Sequence, residues 1–163
     1  MKWIGKMRFV HRDKNGKIIW EGENHNALAQ EGQYYLLDVG LRGASQASNF
    51  YMGLVNDTPV VTDGLSDLQN EPSGSGYSRQ TIEANGTGWP TLALDSSEYQ
   101  VTSSTETFTA SGGSIGPVTN AFLATSSDNT GKLISYVALS ETRTLSDGES
   151  LEVTYDIKLG NPA

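Results

Sequence analysis

From Lys2 to Arg12 hydrophobic and polar residues alternate with a period of two: Trp3, Gly5, Met7, Phe9 and His11 share one face, Lys2, Ile4, Lys6, Arg8, Val10 and Arg12 the other. That period predicts a half-buried strand. The segment DKNGK follows, and because Asn15 and Gly16 both tolerate positive φ it predicts a β-hairpin. The return strand, KIIWEGE, sets Ile18 and Trp20 roughly opposite Asp13 and His11. Residues 1–24 thus read as an N-terminal hairpin.

The period then changes. Leu28, Gly32, Tyr35, Leu36 and Val39 form one helical stripe and predict a short α-helix over residues 26–41. Asn24 or Asn26 is the expected N-cap, and Gly40 or Gly43 the expected end. Gly32 weakens such a helix by about 1 kcal/mol relative to alanine. Residues 49–56 read as a short buried strand, and 57–76 as a long polar loop. YSRQTIEA (77–84) is strand-like, and further strands are expected at 98–111, 117–127, 132–141 and 149–160. The last alternates most regularly, with Leu151, Val153, Tyr155, Ile157 and Leu159 on one side. SGGSIG, SDNTG and LSDG supply the turns between them. This pattern predicts a mainly β fold: a single-domain antiparallel β-sandwich over residues 1–163, jelly-roll-like, with an N-terminal β-hairpin and one short α-helix.

Composition narrows what such a domain does. At 163 residues the chain is long enough for one real core. It has no cysteine, which excludes disulfides and thiolate metal sites. No apolar run reaches the length of a membrane helix, and MKWIGKMRFVHRDK has no secretory pattern, so synthesis in a cytoplasm with no membrane partner is the expectation. The sequons at Asn56 and Asn85 then read as incidental.

Charge is unevenly spread. Residues 1–20 hold six of the eleven Lys and Arg residues and one acid, a local charge of +5 on a chain of net charge −8. A basic end on an acidic body suggests a docking arm with Lys2, Trp3, Lys6, Arg8 and Arg12 at an interface, or else one solvated strand face. Nucleic acid fits poorly, because the cations lack a helix or stacking aromatics on their face.

Candidate chemistry is thin. Gly112-Gly113-Ser114-Ile115-Gly116 matches the nucleophile-elbow pattern G-x-S-x-G, but it joins two strands, and His11 and His25 lie upstream. Two histidines in separate elements do not make a zinc site. Asp57, Asp63 and Asp67 share a loop without calcium-loop spacing. With nineteen acids, a glycosidase-like carboxylate pair is inevitable and uninformative. No catalytic, cofactor-binding or metal-binding residue is expected. NEPSGSGYSRQ (70–80) is glycine-rich without a phosphate-loop signature. It reads as a structural turn in which Pro72 restrains Glu71, Gly74 and Gly76 reverse the chain, Tyr77 begins a strand, and Arg79 pairs with an acid such as Glu71. Tyr77 and Trp89 either close the end of the sandwich or offer a sugar-stacking platform.

Short motifs also follow one another in a particular order. Asn26 to Asp38 reads N-x-L-x-x-E-G-x-x-x-L-L-D, followed by FYMGL at 50–54 and EPSGSGYSRQ from Glu71 to Gln80. Leu133 to Tyr136 reads LISY, and Arg143 to Tyr155 reads R-x-L-x-x-G-x-x-L-x-V-T-Y. This succession resembles a family of small tailed-bacteriophage virion structural proteins. The resemblance implies a structural role without catalysis. It implies location in the virion after synthesis in the host cytoplasm. The compact size, with neither a heptad seam nor a fibrous repeat, favours a capsid decoration (cement) protein. Such a protein binds and stabilises the lattice of the major capsid protein on the capsid exterior, and copies of itself as a dimer or trimer. The alternative is a tail, collar or fibre-associated module that binds host glycan.

Overall fold

β1 (Lys2–Arg12) and β11 (Ser150–Gly160) pair antiparallel along their whole length, from Lys2 opposite Gly160 to Arg12 opposite Ser150. The computed structural model describes residues Lys2–Asn161, so the Met1 end of the expected arm lies outside them. β2 (Ile18–His25) covers the other edge of β1, with Trp20 opposite His11 and Ile18 opposite Arg12 across a bulge. The connecting turn is longer than an Asn-Gly pair: Gly16 alone takes positive φ, at 85°, and Asp13 Oδ1 accepts the N–H groups of Asn15 and Lys17.

β3 (Ala27–Leu28) precedes α1 (Gln30–Leu41), and β4 (Asn49–Val55) follows. Next come a 3₁₀ turn at Leu65–Asp67, β5 (Gln80–Glu83), β6 (Thr91–Asp95), β7 (Glu98–Thr102) and β8 (Glu106–Thr109). β9 (Ile115–Ala124) and β10 (Leu133–Leu145) lead to β11. One sheet runs β2-β1-β11-β7-β6, with β8 also on β11, and the other runs β3-β10-β9-β4-β5. All described pairings are antiparallel. Met7, Phe9, Tyr155 and Phe108 from the first sheet meet Met52, Leu54 and Val137 from the second in one core, which makes the fold a β-sandwich. The Tyr155 hydroxyl crosses the layer and donates to Ser135 Oγ at 2.7 Å. Burial raises the Tyr155 phenol well above its ordinary pKa, so this hydroxyl stays a donor.

Four expectations are corrected. The helix begins at Gln30 and not at 26, because Ala27 and Leu28 pair with Tyr136 and Ser135 of β10, and the Ala29 N–H donates to Ile134 O. Asn26 caps nothing; its amide lies against Gly5, where any side chain would overlap it. The expected 98–111 strand breaks at Ser103. The Ser103 N–H donates to Tyr155 O, and Ser103 Oγ accepts the Tyr155 N–H, which hands β11 from β7 to β8. The strand after the long loop starts at Gln80, not Tyr77, and the unexpected strand β6 forms a hairpin with β7.

Gly32 is where α1 crosses β10. A Cβ there would overlap the Ile134 carbonyl oxygen, a backbone atom with no room to retreat. At an ordinary exposed helix site Gly→Ala stabilises by about 1 kcal/mol. Gly32→Ala is expected to do the opposite and cost about 1–3 kcal/mol, as an overpacked core does. Thermal unfolding of the two proteins checks the sign.

Candidate functional site

The turn at 70–80 is built around one carboxylate. Arg79 Nε and Nη2 donate to Glu71 Oε1 and Oε2 at 2.8 and 2.7 Å, and the Tyr77 hydroxyl donates to the same Oε1 at 2.7 Å. Tyr77 Oη also accepts the Leu54 N–H, and its ring stacks on Phe108. Arg79 reaches on to the carbonyls of Ser126 and Asp128 and to Asn129, and lies over the Phe122 ring, 5.0 Å from its centroid. Gly74 and Gly76 take φ of 76° and 78° on either side of Ser75 at 50°. Every donor of this hub is directed at protein, and the Arg79 side chain is 3 % exposed. Burial, then the Glu71 charge, raises the Tyr77 phenol far above its ordinary pKa. Tyr77 is thus half-buried, with its ring against Phe108 and its hydroxyl bonded to protein, and is no sugar platform. Trp89 packs edge-on to Phe50 and beside Tyr155.

The basic strand meets its own acids. On the outer face of its sheet, Lys6 pairs with Glu23 at 3.4 Å, Arg8 with Asp156 at 3.0 Å and Arg12 with Glu152 at 2.8 Å. Lys2 is exposed, while Trp3 turns to the inner face. β1 has a partner strand on both sides from Lys6 to Arg12, and β11 alone beside Lys2–Ile4.

His11 is buried between two charged groups. Arg143 Nε and Nη2 lie 3.1 and 3.0 Å from His11 Nδ1, and Glu149 Oε2 lies 3.0 Å from Nε2. A guanidinium only donates, so Nδ1 accepts and Nε2 carries the proton. Both nitrogens are therefore engaged, and His11 is no base for Ser114. The Ser146 N–H is the main cause holding the Glu149 carboxyl below its ordinary value of 4.5; burial opposes it, and His11 and Arg143 add to it. With the folded value depressed, the stabilisation is complete above the unfolded value and is lost as pH falls through the folded one. Glu149→Gln is therefore expected to lower the melting temperature near neutral pH and to flatten its fall in acid, as read from melts across an acid series.

The loop acids do not converge on an ion. Asp57 accepts the N–H groups of Gln69 and Asn70, Asp63 that of Val60, and Asp67 that of Gly64. Among the described residues no group of three or more metal-ligating side chains occurs. No described helix is long and apolar enough to cross a membrane.

What the sequence does not announce is an apolar cleft of about 350 Å³ at the end of the sandwich. Its floor comes from Phe50, Leu123 and Ile134, and one wall from Leu36 of α1. The other wall is the inner face of the first sheet, where Trp3 stands opposite Leu159, and Ile157, Val101 and Leu92 form one cross-strand row. A second hollow lined by Trp3, Leu28, Leu37 and Leu159 continues it along the helix. The β6–β7 hairpin extends the sheet past its cover, leaving Leu92, Leu94 and Tyr99 exposed at 69, 63 and 64 %.

A family model described as Podophage GP4 fiber I protein gp80 matches residues 28–157, from the end of β3 through most of β11. No curated protein matches the chain.

Proposed function

The chain belongs to this family of podophage fibre proteins, and on that premise we propose that it is a non-catalytic building block of the virion's fibre apparatus. As a phage structural protein it acts in the virion. The observation that carries the fibre reading is the family match over most of the chain. The site geometry supports a structural role: the Arg79 hub and both nitrogens of His11 are spent on internal bonds. What remains free is apolar contact surface, which suits assembly better than turnover.

Contacts are proposed at two places. One is the cleft, with Trp3 in its wall. The other is the outer face of β1, where Lys6, Arg8 and Arg12 exchange part of their internal pairing for a neighbour's acids and the exposed Lys2 joins them. A second reading is capsid decoration, with the major capsid protein as partner. It is favoured by the compact sandwich, whose one described helix spans twelve residues with no heptad seam.

Labelling purified particles with an antibody to this protein, together with its copy number, separates the two. Label at the tail region with few copies per particle supports the fibre reading. Label spread over the whole shell, with copies matching its lattice, overturns it for decoration. Absence of the protein from particles overturns both.

A further inference from the structure

The β6–β7 hairpin alternates as a half-buried ribbon does, yet its apolar side faces open space. Opposite pairs Leu92–Val101 and Leu94–Tyr99 share that side, while Gln100 and Thr102 on the other side bond to Asp156. Across the cleft, Leu37 and Leu41 of α1, four residues apart, form a second exposed stripe. The residues lining both hollows include no Lys, Arg, Asp or Glu. That excludes an ionic occupant such as nucleic acid or an anionic polymer as the fitting partner.

We propose that this overhang is where two copies of the chain associate, the hairpin of each copy lying against the helix stripe and cleft of the other. The inference rests on the reading of the protein as a multi-copy virion component. Three observations select a second copy as the occupant. The chain presents an apolar ridge (Leu92, Leu94, Tyr99) and an apolar hollow (Trp3, Leu37, Leu159) side by side, so one two-fold axis sets the ridge of each copy at the hollow of the other. A chain of net charge −8 repels its copy, and an uncharged face is where that repulsion is least. Area is the third. At about 100 Å² of apolar surface for a fully exposed side chain, Leu37, Leu41, Leu92, Leu94, Tyr99 and Leu159, exposed at 58, 81, 69, 63, 64 and 52 %, contribute about 400 Å² per copy. That lies within the ~300–600 Å² of the largest patch a monomer leaves bare and is about half of the ~800 Å² each partner gives a stable interface, with the cleft walls supplying more.

The test is the mass of the full chain in solution by sedimentation equilibrium and light scattering. The wild type is expected to be a dimer at micromolar concentration. Leu92→Gln with Leu94→Gln is expected to be a monomer with an unchanged melting temperature, its dissociation constant raised about 100-fold or more. Because the chain has no cysteine, Leu94→Cys and Ala93→Cys each carry a single thiol. Mixed with Leu37→Cys chains, a short bismaleimide should link Leu94→Cys, whose residue faces the partner's helix stripe at roughly sheet-packing distance, and leave Ala93→Cys, on the opposite side, unlinked. A wild type that stays a single copy overturns the proposal and gives the cleft to a different virion protein. A dimer indifferent to the leucines, equal linking at both positions, or an odd-numbered assembly overturns the two-fold face. None of these readouts depends on where in the particle the protein sits, so failure here is distinguishable from failure of the fibre reading.

Discussion

Deleting Lys2–Arg8 is expected to abolish folding, not merely to remove a docking arm. Those seven residues fill seven consecutive positions of the ladder with β11. They also carry Met7 into the core, and their loss uncovers the inner faces of Tyr155 and Ile157. Loss of one buried side chain the size of methionine costs about 2–5 kcal/mol, against a total stability of about 5–15 kcal/mol for a domain. Unpairing a central strand adds stranded backbone groups on β11 and β2. The truncated chain should be insoluble or show no cooperative melt by circular dichroism. A folded truncation with a melt close to wild type would instead make β1 a detachable arm.

That outcome bears on how a sequence of this kind is read. The alternation in β1 and β11 makes both strands and their inner faces legible, because burial on one side leaves a period of two. It does not reveal that the two strands pair, since nothing local links positions so far apart in the chain. The basic run on β1 invites an arm for the same reason: its acids, Asp156 and Glu152, arrive only when β11 docks.

Turns were legible where glycine makes them. The β6–β7 hairpin reverses at Ser96 and Ser97, with φ of 53° and 73°, and serine carries no signal for that conformation. The helix start was hidden because Ala27 and Leu28 suit a helix by propensity, and β10 overrides it. Glu71 and Arg79 lie eight residues apart around two glycines, so their meeting could be read directly. The His11–Arg143–Glu149 set spans most of the chain and could not. The cleft was least legible: Leu92, Leu94 and Tyr99 look like core residues, and only the two sheets' differing extents leave them bare.

Arg79→Met is expected to be the most damaging single substitution at the 70–80 turn. It removes both bonds to Glu71 and leaves that carboxylate with only the Tyr77 hydroxyl, while the carbonyls of Ser126 and Asp128 lose their Arg79 donor. Breaking a buried pair from one side costs about 3–5 kcal/mol, and because the remaining Glu71 side chain is 21 % exposed the lower end is expected. Methionine keeps much of the apolar contact with Phe122 but none of the five-donor geometry. Adding Glu71→Met should recover part of the loss, since two apolar side chains leave no stranded charge, whereas the carbonyls of Ser126 and Asp128 still lack their Arg79 donor. Chemical denaturation of the two single variants and the double one measures this. A loss below about 1 kcal/mol for Arg79→Met would mean that the hub is solvated in practice and behaves like a surface ion pair. Full recovery in the double variant would assign the whole effect to Glu71 and none to the link with the 126–128 turn. The expected partial recovery makes the stretch a clamp that ties the long loop to the β9–β10 turn, which explains the placement of an arginine there in preference to a lysine: only a planar fork reaches a carboxylate and two backbone carbonyls at once.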